Sequence, residues 1–250
     1  MSLPLLLLAF WAPQAPPPSP APVQTEEPTW TGKADFGMSL LTGNNPTSKV
    51  DFQGKAQWER ENRRWIGTGN YHASRQGTLL GESETSSRLM HLGVEHHRFL
   101  DADGDWYAYG KSSSRRDVPN GLELRADIGL GMGWEHRWNQ DQTILTLEAG
   151  PSLLREDNVG SSKTDTLSGR SALTFKLPIA EKWTLETKAE YFFATGNTDA
   201  NSLTSSVDMD WNFSEDWFLS FGNALAWDGT PAPGFQETDL RWTVNIGTTF

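Results

Sequence analysis

Cysteine is absent from the 250 residues. That excludes disulfide frameworks, thiolate metal sites and cysteine nucleophiles. Long apolar runs are scarce: hydrophobic residues make up 36% of the chain and the mean hydropathy is -0.55, which excludes a helical membrane protein. A β-barrel survives this test, because only alternate residues of its strands face lipid. Basic residues are also in deficit. Lys and Arg number 21 against 32 Asp and Glu, and the net charge of -11 argues against a nucleic-acid partner; most of that charge serves solubility. What the chain does have is tryptophan, 12 of them, and glycine, 23. Aromatic-rich, glycine-rich and hydropathically bland is the blend of a barrel with aromatic girdles.

The length is that of one large domain. Met1 to Trp11 is apolar but too short to span a bilayer as a helix. It reads as the core of a signal peptide without the usual basic flank, with cleavage after Ala12, Ala15 or Ala21. We assign 1–21 to this signal, 22–29 to the end of a proline-rich disordered tether that runs from Pro13 to Pro28, and 30–250 to the barrel.

From Trp30 onward, about twelve segments alternate apolar and polar residues, a period of two that no helix explains. Val50, Phe52, Gly54, Ala56 and Trp58 oppose Asp51, Gln53, Lys55, Gln57 and Glu59. Leu122, Leu124, Ala126, Ile128, Leu130, Met132 and Trp134 oppose Glu123, Arg125, Asp127, Gly129, Gly131, Gly133 and Glu135. The segments Ser86 to Phe99 and Asp105 to Ser114 alternate least well. The last segment sets Leu240, Trp242, Val244 and Ile246 against Asp239, Arg241, Thr243 and Asn245, and ends on Phe250. The expected fold is an all-β transmembrane antiparallel up-and-down barrel of about twelve strands, with short periplasmic turns and longer outer loops.

Tryptophan placement supports the same orientation. Trp30, Trp58, Trp65, Trp106, Trp138, Trp183, Trp211 and Trp217 all fall beside the short turns, where a periplasmic girdle would meet the headgroups. A soluble calycin-like barrel would put its apolar side inward and has no reason to collect tryptophan at one end.

The polar faces carry mixed charge. Asp51, Lys55, Glu123, Arg125, Asp127, Arg170, Lys176, Glu186, Lys188, Glu190, Asp208, Asp210, Asp239 and Arg241 are expected to face the lumen. They could line a passage for small solutes. Because opposite charges alternate along the strands, a plug of cross-strand ion pairs in a narrow barrel is the stronger expectation. Gly129, Gly131 and Gly133 would relieve bulk on the polar face where the wall curves or a large neighbour packs. Asp101 to Asp105 reads as a tight turn rather than a calcium loop. His72, His91, His96, His97 and His136 read as surface or lumen residues. Adjacent strand residues face opposite ways, so the pair His96-His97 does not chelate one ion. No nucleophile elbow or other catalytic signature stands out, so neither metal nor cofactor is expected; an outer-membrane phospholipase is the alternative activity.

Trp30-Thr31-Gly32 with Gly37, followed by Leu41-Thr42-Gly43-Asn44, resembles the start of the YdiY-like family of salt-induced outer-membrane proteins, which contain a domain of unknown function. Tyr191 to Asn197 repeats the Thr-Gly-Asn element at a later outer loop. The resemblance extends in layout over Trp30 to Phe250, with Pro46 and the proline-rich leader as departures. It implies a barrel in the outer membrane of a Gram-negative-type bacterium, and it carries over no catalytic residues. The expected partners are outer-membrane lipid and, during biogenesis, periplasmic chaperones and the barrel assembly machinery, with Phe250 as the assembly signal. The expected role is envelope integrity, permeability or small-solute passage.

The two ends of the chain therefore differ in what they contribute. Deleting Phe250 should lower the folded, outer-membrane level of the protein more than deleting Pro13 to Pro28. Quantitative immunoblots of membrane fractions check this, and a more damaging leader deletion would reverse the assignment.

Overall fold

The computed structural model describes residues 27–41, 47–77, 83–101, 105–139, 142–160, 163–196, 200–231 and 234–250. The signal and most of the tether lie outside these residues, as do the centre of the Asp101 to Asp105 turn and parts of the outer loops. Twelve strands follow one another: β1 (Thr29–Leu41), β2 (Thr47–Arg60), β3 (Arg63–Gly77), β4 (Ser83–Phe99), β5 (Trp106–Asp117), β6 (Leu122–Trp138), β7 (Thr143–Asn158), β8 (Thr164–Ala180), β9 (Trp183–Ala194), β10 (Ser202–Asn212), β11 (Trp217–Asp228) and β12 (Thr238–Thr249). Each pairs antiparallel with the next, and β1 pairs with β12, so the sheet is a closed barrel.

Closure follows from the count. With an even number of up-and-down strands, first and last run in opposite directions and can pair antiparallel. Lys33 to Phe36 face Thr249 to Ile246. Gly32 and Phe250 then exchange backbone hydrogen bonds of 2.7 and 3.1 Å. The Phe250 ring lies where a Cβ on Gly32 would stand, 2.2 Å from it, so only glycine fits beneath the last residue.

Several strands end where the alternation ends, among them β6, β9 and β11. Others run further. β5 continues through Arg115 and Arg116 to Asp117 and stops at a 3-10 turn, Val118–Asn120, closed by Gly121 at φ 84°. β7 reaches Asn158, and β8 reaches Ala180, taking in Pro178, which sequence alone assigns to the turn. Apolar alternation marks only the lipid-facing height of a strand, whereas backbone pairing continues beyond it in water. At the turn end the connections are short: Glu61-Asn62 joins β2 to β3, with Glu61 at φ 55°, and Glu181-Lys182 joins β8 to β9.

The outer surface is apolar. Ile128 is 61% exposed and Trp242 72%, while their strand neighbours Asp127 and Asn245 (one and three residues away) are buried inside. Leu124, Val207, Phe221 and Val244 are exposed on the same outer face. The tryptophans form outward ladders beside the short turns. Trp30 pairs with Trp58, Trp58 with Trp65, and Trp183 with Trp211. Trp106 pairs with Trp134, a further ring on this band, and His136 stacks on Trp134 at 5.5 Å and meets Trp138 edge-on at 4.6 Å. Apolar outside and polar inside is the arrangement of a barrel that sits in a membrane.

Replacing Ile128 with Arg should destabilise the barrel by roughly 2–4 kcal/mol if the residue sits near the bilayer midplane. Denaturant titration of protein folded into vesicles measures it; an unchanged midpoint would place Ile128 away from lipid.

Candidate functional site: the lumen

The two strands that alternate poorly in sequence explain how the interior is filled. The interior face of β4 carries Leu89, Glu95, His97 and Phe99, and that of β5 carries Tyr107 and Tyr109. Leu89, Phe99 and both tyrosines are buried, Tyr107 completely. These rings need room, and β6 provides it. Tyr107 stands opposite Gly133 and Tyr109 opposite Gly131. A Cβ at Gly133 would meet the Tyr107 ring at 2.2 Å, and one at Gly131 would meet Tyr109 at 2.8 Å. The glycine row is thus a seat for two aromatic rings. Phe218 on β11 is seated the same way on Gly247 of β12.

Ion pairs surround this cluster. Arg64 on β3 donates to both oxygens of Glu135 on β6, at 2.7 and 3.1 Å, and to Glu59 at 3.1 Å. Its guanidinium lies 4.7 Å from the Phe99 ring centre. Arg170 on β8 donates to Glu148 on β7 at 2.9 Å and to Glu190 on β9 at 2.5 Å, and covers the Tyr109 ring at 5.1 Å. Lys111 on β5 also binds Glu190. Arg64 and Glu135, like Lys111 and Glu190, belong to strands that are not neighbours, so they meet only across the interior.

Further chords cross elsewhere. Arg125 on β6 donates to Glu156 at 2.8 Å and also to Asp228 on β11. Lys33 on β1 donates to Asp210 on β10 at 2.6 Å. Asn245 on β12 donates to Asp35 at 2.5 Å and to Asp51 at 3.3 Å, and Asp51 lies 2.8 Å from His72 Nδ1. Ser113 donates to the buried Asp127.

The opposite side of the lumen is emptier. Interior positions on β8, β10 and β11 carry small groups: Ala172, Thr174, Thr204, Ser206, Ser220, Gly222 and Ala224. Lys188, on the interior face of β9, is paired with Glu186 at 2.7 Å, yet 46% of its side chain is accessible. Lys176 is exposed, and Lys55 and Asp208 are half-buried. Asp208 and Arg241 make no ion pair within 4 Å among the described residues, and Arg241 Nε is buried without a partner.

Not every residue expected in the lumen lies among these chords. Glu123 falls in a β-bulge where β6 changes register against β5 and β7, and it is exposed with no ion pair among the described residues. The bulge adds a residue, so strict alternation no longer fixes its side. Asp239, at the start of β12, is exposed at the outer end. Conversely, Arg64, Tyr107, Tyr109 and Glu148 hold the filled sector and were not singled out by sequence. The row of three glycines on β6 was the available signal, since it calls for bulky partners on the adjoining strand.

No curated protein sequence matches the chain. Among solved structures, the fold is similar to the porin NanC, with TM-score 0.50 and 9% identity over 87% of this chain and 98% of that one. It is also similar to the COG4313 outer membrane channel from Pseudomonas putida F1, with TM-score 0.46, 9% identity and coverage of 95% and 100%. The translocator domain of the autotransporter NalP from Neisseria meningitidis matches with TM-score 0.45, 16% identity and coverage of 89% and 87%. At such identities the likeness is one of fold. The sequence profile of the family DUF481, proteins of unknown function, matches residues 34–250. With nearly the whole barrel matched, the chain belongs to the DUF481 family.

Proposed function

We propose that this is an outer-membrane barrel whose lumen passes small hydrophilic solutes slowly, along one side only, and that the filled side serves to stiffen the wall. The observation that carries the reading is Lys188: an interior residue in the middle of β9 that is nearly half accessible to water. A lumen packed throughout would bury it as it buries Arg170 and Arg64.

The outward apolar band and the tryptophan ladders support a membrane location, and the similarity in fold to a porin is in keeping with it. Passage is narrow because aromatic rings and ion pairs fill the sector from β3 to β7, and the chords from Arg125 to Asp228 and from Lys33 to Asp210 cross the rest. Its charge is set by Lys55, Lys176 and Lys188 against Glu186 and Asp208. That balance favours small anions, since fixed charges in a narrow, low-dielectric lumen are felt strongly. Phe250 would act as the assembly signal read by the barrel assembly machinery, with periplasmic chaperones delivering the chain.

Purified protein in planar bilayers should show small, steady unitary currents with a weak anion preference in a salt gradient. Lys188→Glu combined with Lys176→Glu should move the reversal potential toward cation preference. Absence of any current would make the barrel a sealed wall protein. A large current indifferent to these charges would make it a wide, unselective pore.

A further inference from the structure

Glu95 and His97 lie two residues apart on β4 and therefore share its interior face. Glu148 reaches them from β7, with β5 and β6 between. His97 Nε2 lies 2.9 Å from Glu95 Oε1 and 3.6 Å from Glu148 Oε1. One donor atom from each of the three residues lies within 4.8 Å of the others. We propose that Glu95, His97 and Glu148 bind one divalent transition-metal ion of the zinc class.

The geometry is close to what such an ion requires. Tetrahedral zinc with bonds of about 2.0–2.1 Å separates its ligand atoms by about 3.3 Å. The two Nε2 distances fall on either side of that value, so small side-chain rotations would admit the ion. One imidazole and two carboxylates leave a fourth position for water, and the imidazole favours zinc, copper or nickel over calcium or magnesium.

The surroundings are built as those of a ligand set. Tyr107 donates its hydroxyl to Glu148 Oε1 at 2.7 Å, and Arg170 donates to Oε2 at 2.9 Å, which fixes that carboxylate. The His97 ring is stacked on Tyr107 with centroids 4.2 Å apart and meets Phe99 edge-on at 6.5 Å. Such outer contacts orient metal ligands and hold their aim.

Charge supplies an independent reason. Glu95, Glu148 and Glu190 face two fixed cations, Arg170 and Lys111. One positive charge is missing. A divalent ion held between the carboxylates of Glu95 and Glu148 supplies it. This site lies in the filled sector and does not depend on whether the lumen conducts.

The test uses tag-free, metal-stripped protein refolded in detergent. Equilibrium dialysis against Zn2+ with elemental analysis should give one equivalent, and Co2+ should give the visible absorption of a tetrahedral site. His97→Ala and Glu148→Gln should each weaken Zn2+ binding by about tenfold or more. His96→Ala, which alters the outward ring tilted against Trp65 at 4.4 Å, should leave binding unchanged. Heat-modifiable gel mobility reports whether each variant is folded. If the site variants do not fold, X-ray absorption of zinc-loaded wild type decides, and must show one imidazole in a mixed nitrogen and oxygen shell. Failure of the folded wild type to bind a stoichiometric ion, equal binding by folded His97→Ala, or an oxygen-only shell would each overturn the site.

Discussion

A wall that faces hydrocarbon must satisfy every backbone N–H and C=O within itself, because lipid offers no partner and each open group costs several kcal/mol. For a sheet that means closure, and closure here depends on one seam. β1 pairs with β2 from Thr29 to Leu41, but with β12 only from Lys33 to Phe36, extended by the Gly32–Phe250 bonds. The seam is the shortest join in the barrel, and the last residue of the chain lies in it. Phe250 contributes its backbone to the ladder and its ring to the cover over Gly32. The even strand number and the alternation of short and long connections are consequences of the same closed geometry.

Closure creates an interior that has to be either filled or wetted. On one side, aromatic rings lie over glycines on the neighbouring strand. Tyr107 over Gly133 and Tyr109 over Gly131 lay large groups along the inner wall, where a side chain on either glycine would collide with them. Phe193 over Gly169 and Phe250 over Gly32 repeat the device on the outer face. Three interior arginines each serve two carboxylates: Arg64 serves Glu59 and Glu135, Arg170 serves Glu148 and Glu190, and Arg125 serves Glu156 and Asp228. Removing one partner of such a buried group strands the other, so these networks specify how the barrel packs even where their net contribution to stability is small. On the other side, β8, β10 and β11 carry small interior residues, and 46% of the Lys188 side chain is accessible.

Much of this was legible in the chain itself. Alternation assigned a face to nearly every residue between Trp30 and Phe250, and tryptophan beside the short turns assigned an end. The readings were weakest at β4 and β5, where Leu89, Phe99, Tyr107 and Tyr109 break the polar pattern of an inner face. They break it because they pack against glycines on another strand, a relation no single segment displays. Glu123 shows a related limit: it falls in a bulge, where one extra residue interrupts the period of two.

The amino-acid sequence by itself determined the number of strands, the side each faces and the way the two ends meet, since these follow from local periodicity and from the even count. It did not determine which interior charges meet. Lys33 finds Asp210, 177 residues away, and Arg64 finds Glu135, 71 residues away. Those pairings depend on the tilt and stagger of the strands around a closed cylinder, which set the height and azimuth of each side chain. Only the tertiary structure therefore decided that rings and ion pairs crowd one side of the lumen, that Lys188 stays accessible on β9, and that two glutamates and a histidine meet on the crowded side.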